Sequence, residues 1–450
     1  MRLTSIHLSN YRAHVNLSVD FEAGFNLIAG VNGSGKTSLL MAVADSLAGV
    51  LSYLAQNRMR VFGARIFDDD HFRHVGVESL NGRIRFEPRM AVLRLTGECA
   101  KGTFQLQLTG GFDSPAVEGD NPFAMVERTG DSARLMRGAG GVTDEIPSGT
   151  TTIMPVIAFY RANRRWSSKS VDPIKAATIR PARADGYEDW KEAGLGSESL
   201  QTWVIAKSLE RLERVAQTGQ RLNEVGDDEL ALVNMALNQS FTEFSGLRYD
   251  MQQKSLLVEC SEESAMGSIP FAYLSDGQRA VICLIADIAR RMCLLNPQLG
   301  NRVTQQTPGV ILIDELDVHL HPAWQRRIVN GLKAAFPKVQ FIATSHSPQI
   351  LGELRPCELI LLQDGEGQDG VSRPRVSYGL DSSQILAEIM GAPQRNEEVQ
   401  KRLDTLFAQI ETGPLQQARK TLEDLKADIQ DVPELSGAEA LIRRKELIGR

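Results

Sequence analysis

Cysteine is scarce and unpatterned in this chain of 450 residues. The five present, Cys99, Cys260, Cys283, Cys293 and Cys357, are odd in number and never stand in C-x-x-C spacing. That excludes a disulfide framework and a zinc-ribbon site, and it fits a reduced, intracellular protein. Cys283 and Cys293 sit in an apolar helical stretch and read as buried thiols. Long hydrophobic runs are also missing: none approaches the roughly 20 residues that span a bilayer. Met1-Arg2-Leu3-Thr4-Ser5 carries no charged-then-apolar signal peptide. The expectation is a cytoplasmic protein with no membrane partner. Net charge is small too, −6 from 50 Lys and Arg against 56 Asp and Glu. Contact with nucleic acid would therefore need a local basic patch rather than a global field. Hydrophobic content of 42% and charged content of 24% are ordinary for a globular chain, and the length leaves room for two or three domains.

Residues 3–9 and 15–21 alternate apolar and polar side chains, the period of half-buried strands. Phe25-Asn26-Leu27-Ile28-Ala29 reads as a buried strand, and a helix begins near Thr37. Residues 74–110 are strand-like but irregular, and 110–150 are rich in Gly, Asp, Pro and Ser, as loops on a peripheral sheet would be. Met154 to Tyr160 returns to the core. Residues 161–185 carry Arg161, Arg164, Arg165, Lys169, Lys175, Arg180 and Arg183 against Asp172 and Asp185. Two readings stay open for this stretch, a solvated surface loop and a polyanion site. Residues 199–242 have helical spacing (Leu200, Val204, Leu209, Leu212, Val215) and form a lobe too short for long coiled-coil arms. From 254 onward strands alternate with helices, which implies a parallel sheet covered on both faces. In the tail, Val399, Leu403, Leu406 and Ile410 mark one helix, and Leu415, Ala418, Leu422, Leu425 and Ile429 another. Gly413-Pro414 parts them into a hairpin.

Four segments carry chemistry. Gly30-Val31-Asn32-Gly33-Ser34-Gly35-Lys36-Thr37 fits G-x-x-x-x-G-K-[ST] between a strand and a helix. Such a loop wraps phosphates with backbone N–H groups at a helix start. Lys36 is expected on the β and γ phosphates, Thr37 on Mg²⁺, and Ser38 in the first helical turn beside them. Leu274-Ser275-Asp276-Gly277-Gln278 offers a hydroxyl and backbone N–H groups at another helix start. Ile311-Leu312-Ile313-Asp314-Glu315 is an aliphatic strand ending in two carboxylates, Asp314 to hold Mg²⁺ and Glu315 to act as general base. Ala343-Thr344-Ser345-His346 follows a further buried strand, with His346 as the candidate γ-phosphate sensor.

The order Gly-Lys-Thr loop, Leu-Ser-x-Gly-Gln, Asp-Glu, then His resembles the ATP-binding-cassette ATPases. In that family the signature segment of one subunit caps ATP held by another. The soluble branches of that family include SMC, RecF and the overcoming-lysogenization-defect ATPases. Asn10-Tyr11-Arg12 is similar to their N-[FY]-R, which implies Arg12 on the adenosine side. The run Asp317-Val318-His319-Leu320-His321-Pro322 departs from the transporter pattern and places His321 where a dimer-contact Asp usually sits. The family's Gln-containing loop finds no convincing counterpart, Gln105 and Gln107 being weak candidates. Tyr378 to Leu386, with Met390-Gly391-Ala392 and Arg395, looks like the end of the AAA-family (ABC-like) ATPases of the PtuA type. Those serve Septu and retron anti-phage systems beside a separate HNH nuclease.

The resemblance implies an α/β ABC-type P-loop head: a mixed, largely parallel core sheet, a peripheral antiparallel sheet, an inserted helical lobe and a C-terminal helical hairpin. The expected divisions are an N-terminal lobe at 1–160, the basic loop and helical insertion at 161–245, a C-terminal ATPase lobe at 246–365 and a helical tail at 366–450. The implied cofactors are ATP and Mg²⁺. Gly30, Asn32, Gly33, Ser34, Gly35, Lys36, Thr37, Ser38, Arg12, Ser275, Gly277 and Gln278 form the nucleotide set. Thr37 and Asp314 form the metal set, with Glu315, Lys36 and His346 as catalytic groups. The implied partners are a second copy across ATP, or a higher homo-oligomer, and a nuclease in another chain. The tail lacks a Glu-then-Asp-x-Asp carboxylate set, so no nuclease site is expected in this chain. A RecF-like DNA-repair clamp and a low-turnover ATP-switched scaffold stand as alternatives.

Overall fold

The aliphatic runs come together side by side. The computed structural model describes residues 1–54, 74–78, 84–88, 91–99, 102–110, 125–127, 153–164, 166, 171–194, 198–219, 228–261, 267–363, 370–393, 395–429 and 432–448. Among these, a six-stranded sheet has the order Gly370–Ser372, Leu359–Gln363, Phe25–Gly30, Val339–Thr344, Gly309–Ile313, Val156–Tyr160. All neighbours pair in parallel except Gly370–Ser372, which runs antiparallel at the edge. Gly309–Ile313, Val339–Thr344 and Val156–Tyr160 are buried at every position, as parallel strands covered on both faces must be. The helix Pro322–Ala335 carries the chain from Gly309–Ile313 to its parallel neighbour Val339–Thr344. This is the mixed α/β architecture expected.

Parallel strands place their carboxyl ends together, where open α/β sheets bind ligands. Phe25–Gly30, Val339–Thr344 and Gly309–Ile313 are consecutive neighbours. The phosphate loop, the Ser345-His346 segment and the Asp314-Glu315 pair therefore leave the sheet at one edge.

A second, antiparallel sheet has the order His14–Asp20, Arg2–Tyr11, Ala91–Cys99, Gly102–Gly110, Met125–Glu127. It answers the expected peripheral sheet. The register between Arg2–Tyr11 and Ala91–Cys99 slips between Leu3 and Ser5. Gln340 of the core sheet serves this irregularity: its side chain accepts from the Leu3 N–H at 2.6 Å and donates to the Leu3 carbonyl at 2.8 Å and the Glu22 carbonyl at 2.7 Å. One amide thus ties the two sheets together. The loop reading of 110–150 falls largely outside the described residues, apart from Met125–Glu127.

The helices Glu198–Thr218 and Glu229–Ser240 make the lobe seen in the sequence. Leu200 and Val204 are buried, whereas Leu212 is 37% exposed. The first half of Glu198–Thr218 packs on the strand Phe244–Asp250, where the Ser208 hydroxyl accepts from the Tyr249 N–H at 3.1 Å. Beyond that point the apolar spacing continues without a buried counterpart.

Residues Met1–Leu380 form one compact unit and Asp381–Arg450 another. The second unit contains the hairpin Glu397–Thr412 and Leu415–Asp428, joined by a further helix, Pro433–Ile448. Leu406, Leu425 and Ala438, one from each helix, are fully buried in a shared core. The sequence reading marked only the first two helices.

The helix Asp276–Leu295 is buried from Ala280 to Leu295, acidic and basic side chains included. Asp287 explains how charge is tolerated there. It accepts from the Tyr160 hydroxyl at 2.8 Å, from Arg290 Nη2 at 2.7 Å and from Arg291 Nε at 2.8 Å. Arg291 also donates to the carbonyls of Gly186 at 3.1 Å and Glu188 at 2.8 Å. Burial alone would raise the Asp287 carboxyl, but the two guanidiniums hold it well below the usual carboxylate range. In this setting Cys283 and Cys293 are buried as expected, and burial pushes both thiols up.

Asp287→Ala leaves two buried guanidiniums without their carboxylate and should cost about 3–5 kcal/mol of unfolding free energy. The folded carboxyl titrates below the unfolded value of about 3.9, so its contribution is complete above that pH and is lost as pH falls below it. Denaturation of the wild type and Asp287→Asn should show the stability gap narrowing between about pH 5 and pH 3.

Candidate functional site

The phosphate loop leaves the buried strand Phe25–Gly30 and enters the helix Lys36–Leu54. Asn32 and Gly33 are exposed at its tip, and Ser38 is half-buried in the first helical turn. Lys36 folds back over the loop: its ammonium donates to the carbonyls of Gly30 at 2.9 Å and Val31 at 2.7 Å. The Ser34 hydroxyl oxygen is buried and has no hydrogen-bond partner among the described residues. Gly35 has φ +85°, and a Cβ there would lie 2.5 Å from the His14 ring. His14 Nε2 is 3.1 Å from the Gly35 carbonyl oxygen. A carbonyl only accepts, so that nitrogen carries the hydrogen.

His14 opens the strand His14–Asp20, directly after the turn at Arg12-Ala13. Asn10 and Arg12 both have left-handed φ, +51° and +49°. Between them Tyr11 is fully buried and donates to Asp45 Oδ2 at 2.5 Å. Asp45 lies on the helix that starts at Lys36, and Lys191 holds its other oxygen at 2.6 Å. Burial and the Asp45 charge push the Tyr11 hydroxyl far up, so it remains a donor. Tyr11 and His14 thus pin the Arg12 turn against the phosphate loop and its helix, and Arg12 is half-buried there.

Asp314 collects two hydroxyls. Thr37 Oγ1 lies 3.3 and 3.1 Å from its two carboxylate oxygens, although the residues are 277 positions apart. Thr344 Oγ1 donates to Asp314 Oδ1 at 2.7 Å and accepts from the Glu315 N–H at 2.7 Å. Glu315 itself has φ +49°. A left-handed conformation costs a non-glycine residue about 1–3 kcal/mol and persists only when its surroundings over-determine it. Here the surroundings do so. The Leu316 N–H reaches the Thr344 carbonyl at 2.8 Å, and Arg164 donates to the carbonyls of Asp314 at 2.7 Å and Glu315 at 2.9 Å. Hydrogen bonds from a charged donor contribute about 1.5–3 kcal/mol each, enough to outweigh the strain. Burial lowers the Arg164 guanidinium, while the charges of Asp314, Asp317 and Glu315 oppose that shift. His346 is half-buried next to this turn, its N–H donating to Asp317 Oδ1 at 3.3 Å.

Ser275 and Gln278 engage each other. The Ser275 N–H donates to Gln278 Oε1 at 2.9 Å and the Ser275 hydroxyl accepts from the Gln278 N–H at 3.2 Å, a capping box that starts the helix Asp276–Leu295. Ser275 is exposed. A Cβ on Gly277 would lie 2.3 Å from the His319 carbonyl oxygen, so this segment abuts the loop that follows Asp314-Glu315. His321 caps the helix Pro322–Ala335, Nδ1 accepting from the Ala323 N–H at 3.3 Å.

The basic stretch is not uniformly solvated. Arg164 is 6% exposed and turned inward. Arg161 lies over the Phe159 ring and 3.7 Å from Glu192. Arg180 donates to the carbonyls of Ala177 and Ile179, and Arg183 to that of Leu295. Arg165 and Lys169 fall outside the described residues. Three residues of the site escaped the sequence reading: Arg164, Thr344 and His14. Thr344 had a usable signal, being the last strand residue before Ser345-His346. Arg164 had none, because an inward arginine and a solvated one look alike in a charge run.

Two AAA-domain families match this chain. One, described as "AAA domain, putative AbiEii toxin, Type IV TA system", spans residues 164–352, and one described as "AAA domain" spans 5–107. The Retron Ec83 probable ATPase of Escherichia coli is 27% identical over 432 residues, covering 88% of this chain and 78% of that protein. The Septu protein PtuA of Bacillus thuringiensis is 26% identical over 384 residues, covering 84% and 81%. The chain resembles the ATPases of retron and Septu systems. Among solved structures, an SMC head bound to the C-winged helix domain of ScpA overlays with a TM-score of 0.45 at 14% identity, covering 83% of this chain and 98% of that one. That likeness is too distant to carry a functional reading. The two AAA matches bracket the site, the first containing Arg164 to His346 and the second Arg12 to Thr37.

Thr344→Val removes one hydroxyl from two buried partners at once. It should lower the unfolding free energy by about 1–3 kcal/mol, while Thr344→Ser should lose less; thermal or urea denaturation of both variants reads the difference.

Proposed function

We propose that this chain is a Mg²⁺-dependent ATPase whose ATP-bound pair of copies switches a separate HNH nuclease in anti-phage defence. The observation that carries the reading is the meeting of the Thr37 hydroxyl and the Asp314 carboxylate at 3.1 Å at the carboxyl edge of the parallel sheet. A hydroxyl and a carboxylate side by side suit a hard divalent cation, which takes oxygen ligands. The unpartnered Ser34 hydroxyl and the glycine-lined loop fit a phosphate chain. Bound Mg²⁺ would neutralise charge on the β and γ phosphates.

The chain's own groups then divide the work. Lys36 can exchange the Gly30 and Val31 carbonyls for phosphate oxygens. Glu315 takes a proton from the water that attacks the γ-phosphorus, and ADP departs as the bridging P–O bond breaks. His346, next to the Asp314-Glu315 turn, reports on the γ-phosphate. Ser275, Gly277 and Gln278 begin a helix with an exposed N-terminus suited to the γ-phosphate held by a second copy. The nuclease partner and the defence role follow the retron and Septu likeness. A DNA-clamp role draws less support, since Arg161, Arg164 and Arg183 are already engaged within the chain.

Glu315→Gln should bind ATP with near wild-type affinity, lower turnover by about 10²–10⁴-fold and accumulate an ATP-bound dimer in light scattering. Hydrolysis at the wild-type rate would remove Glu315 from the role of base. Lys36→Ala should lose nucleotide binding itself.

A further inference from the structure

Arg164 is a buried guanidinium that donates to three backbone carbonyls, those of Arg161, Asp314 and Glu315. The position of the residue explains its reach. The strand Val156–Tyr160 ends with the Tyr160 carbonyl accepting from the Asp314 N–H at 2.8 Å, the last ladder bond between these neighbours. A tight turn follows, closed by the Arg164 N–H on the Arg161 carbonyl at 3.1 Å. That turn brings the Arg164 side chain back over the end of the adjacent strand. There Nη1 takes the Asp314 carbonyl and the Arg161 carbonyl, and Nη2 takes the Glu315 carbonyl. The Asp314 and Glu315 carbonyls belong to consecutive residues, the second of them left-handed. A planar fork spans such a pair; an ammonium, a point charge on a flexible stem, does not offer that fixed geometry.

We propose that Arg164 is a positioning residue for hydrolysis: its guanidinium fork locks the Asp314-Glu315 turn and so sets where the Glu315 carboxylate stands relative to a nucleotide on Lys36 and Thr37. This rests on the ATPase reading of the site. Arg164 does not touch the nucleotide. Its loss acts on the chemical step through Glu315 and leaves the phosphate loop, built on another strand and helix, in place. A misplacement on the order of 1 Å costs about 10²-fold in rate.

The test uses the purified full chain with ATP, measuring steady-state kcat and KM, nucleotide affinity by titration with a fluorescent ATP analogue, and folding by circular dichroism. Arg164→Gln is expected to lower kcat about 10²-fold with affinity changed less than about threefold. Arg164→Lys should stay close to Arg164→Gln, because an ammonium on a flexible stem can touch carbonyls without holding them in the fixed geometry of the planar fork. Arg164→Gly should regain turnover with added millimolar guanidinium ion and not with methylammonium. A kcat within about threefold of wild type in Arg164→Gln overturns the proposal, and so does an affinity that falls in step with kcat, or full activity in Arg164→Lys. If Arg164→Gly does not fold, Arg164→Lys keeps the cation and decides the question by its kcat. Glu315→Gln in the same assay separates the two levels. Loss of turnover there with none in the Arg164 variants overturns the positioning role alone. No hydrolysis by the wild type, or none lost in Glu315→Gln, overturns the reading of the site.

Discussion

A carboxylate at the end of a wholly buried aliphatic strand has to be satisfied by its neighbours, and most of the site follows from how Asp314 is. Gly309–Ile313 offers it no water along its length. The answers come from the side of Val339–Thr344: Thr344 at the end of that adjoining strand, and Thr37 from the helix behind the phosphate loop one strand further on. Because the intervening strand Val339–Thr344 pairs with both Phe25–Gly30 and Gly309–Ile313, the three chain segments that meet at Asp314 are held in register by ladder bonds. Local sequence supplies the side chains, and the parallel sheet supplies the distances.

Around that point the structure repeats one device, a polar side chain that satisfies backbone groups stranded where regular pairing stops. Gln340 does so at the slipped register of Leu3, and Arg164 does so at the turn after Asp314. Tyr160 and Asp287 extend the same logic into the helix Asp276–Leu295, whose interior charges are paired among themselves. An unpartnered buried polar group costs more than a made hydrogen bond gains, so such pairings decide which arrangements survive. The Ser34 hydroxyl stands out against this background, buried in the phosphate loop without a partner among the described residues.

Legibility from the sequence tracked the range of the interaction. The glycine-rich loop, the aliphatic strand before Asp314 and the helix start at Ser275 are short-range patterns, and each was readable from residue type and spacing. The parallel core, too, was visible, in the alternation of buried strands such as Val310–Ile313 with helices. Arg164 was not, since its partners lie 150 and 151 positions away and its neighbours in sequence are basic. Periodicity in turn promised burial at Leu212, which the structure leaves 37% exposed, because a helical stripe does not say where its cover ends. The helix Pro433–Ile448 went unmarked for the opposite reason. Its contribution to the tail core is three well-spaced residues, Leu435, Ala438 and Ile442, among small and charged neighbours such as Ser436, Gly437, Glu439 and Arg443.

The left-handed turn at Glu315 has a consequence for assembly of the fold. The phosphate loop needs only its own strand and the helix Lys36–Leu54. The turn needs the middle strand for Thr344 and, on its far side, the edge strand Val156–Tyr160 for Arg164. Grip on a phosphate can therefore be in place while the turn is still slack. The orientation of Glu315 belongs to the completed sheet, because bonds from the strands on both sides of it hold the turn.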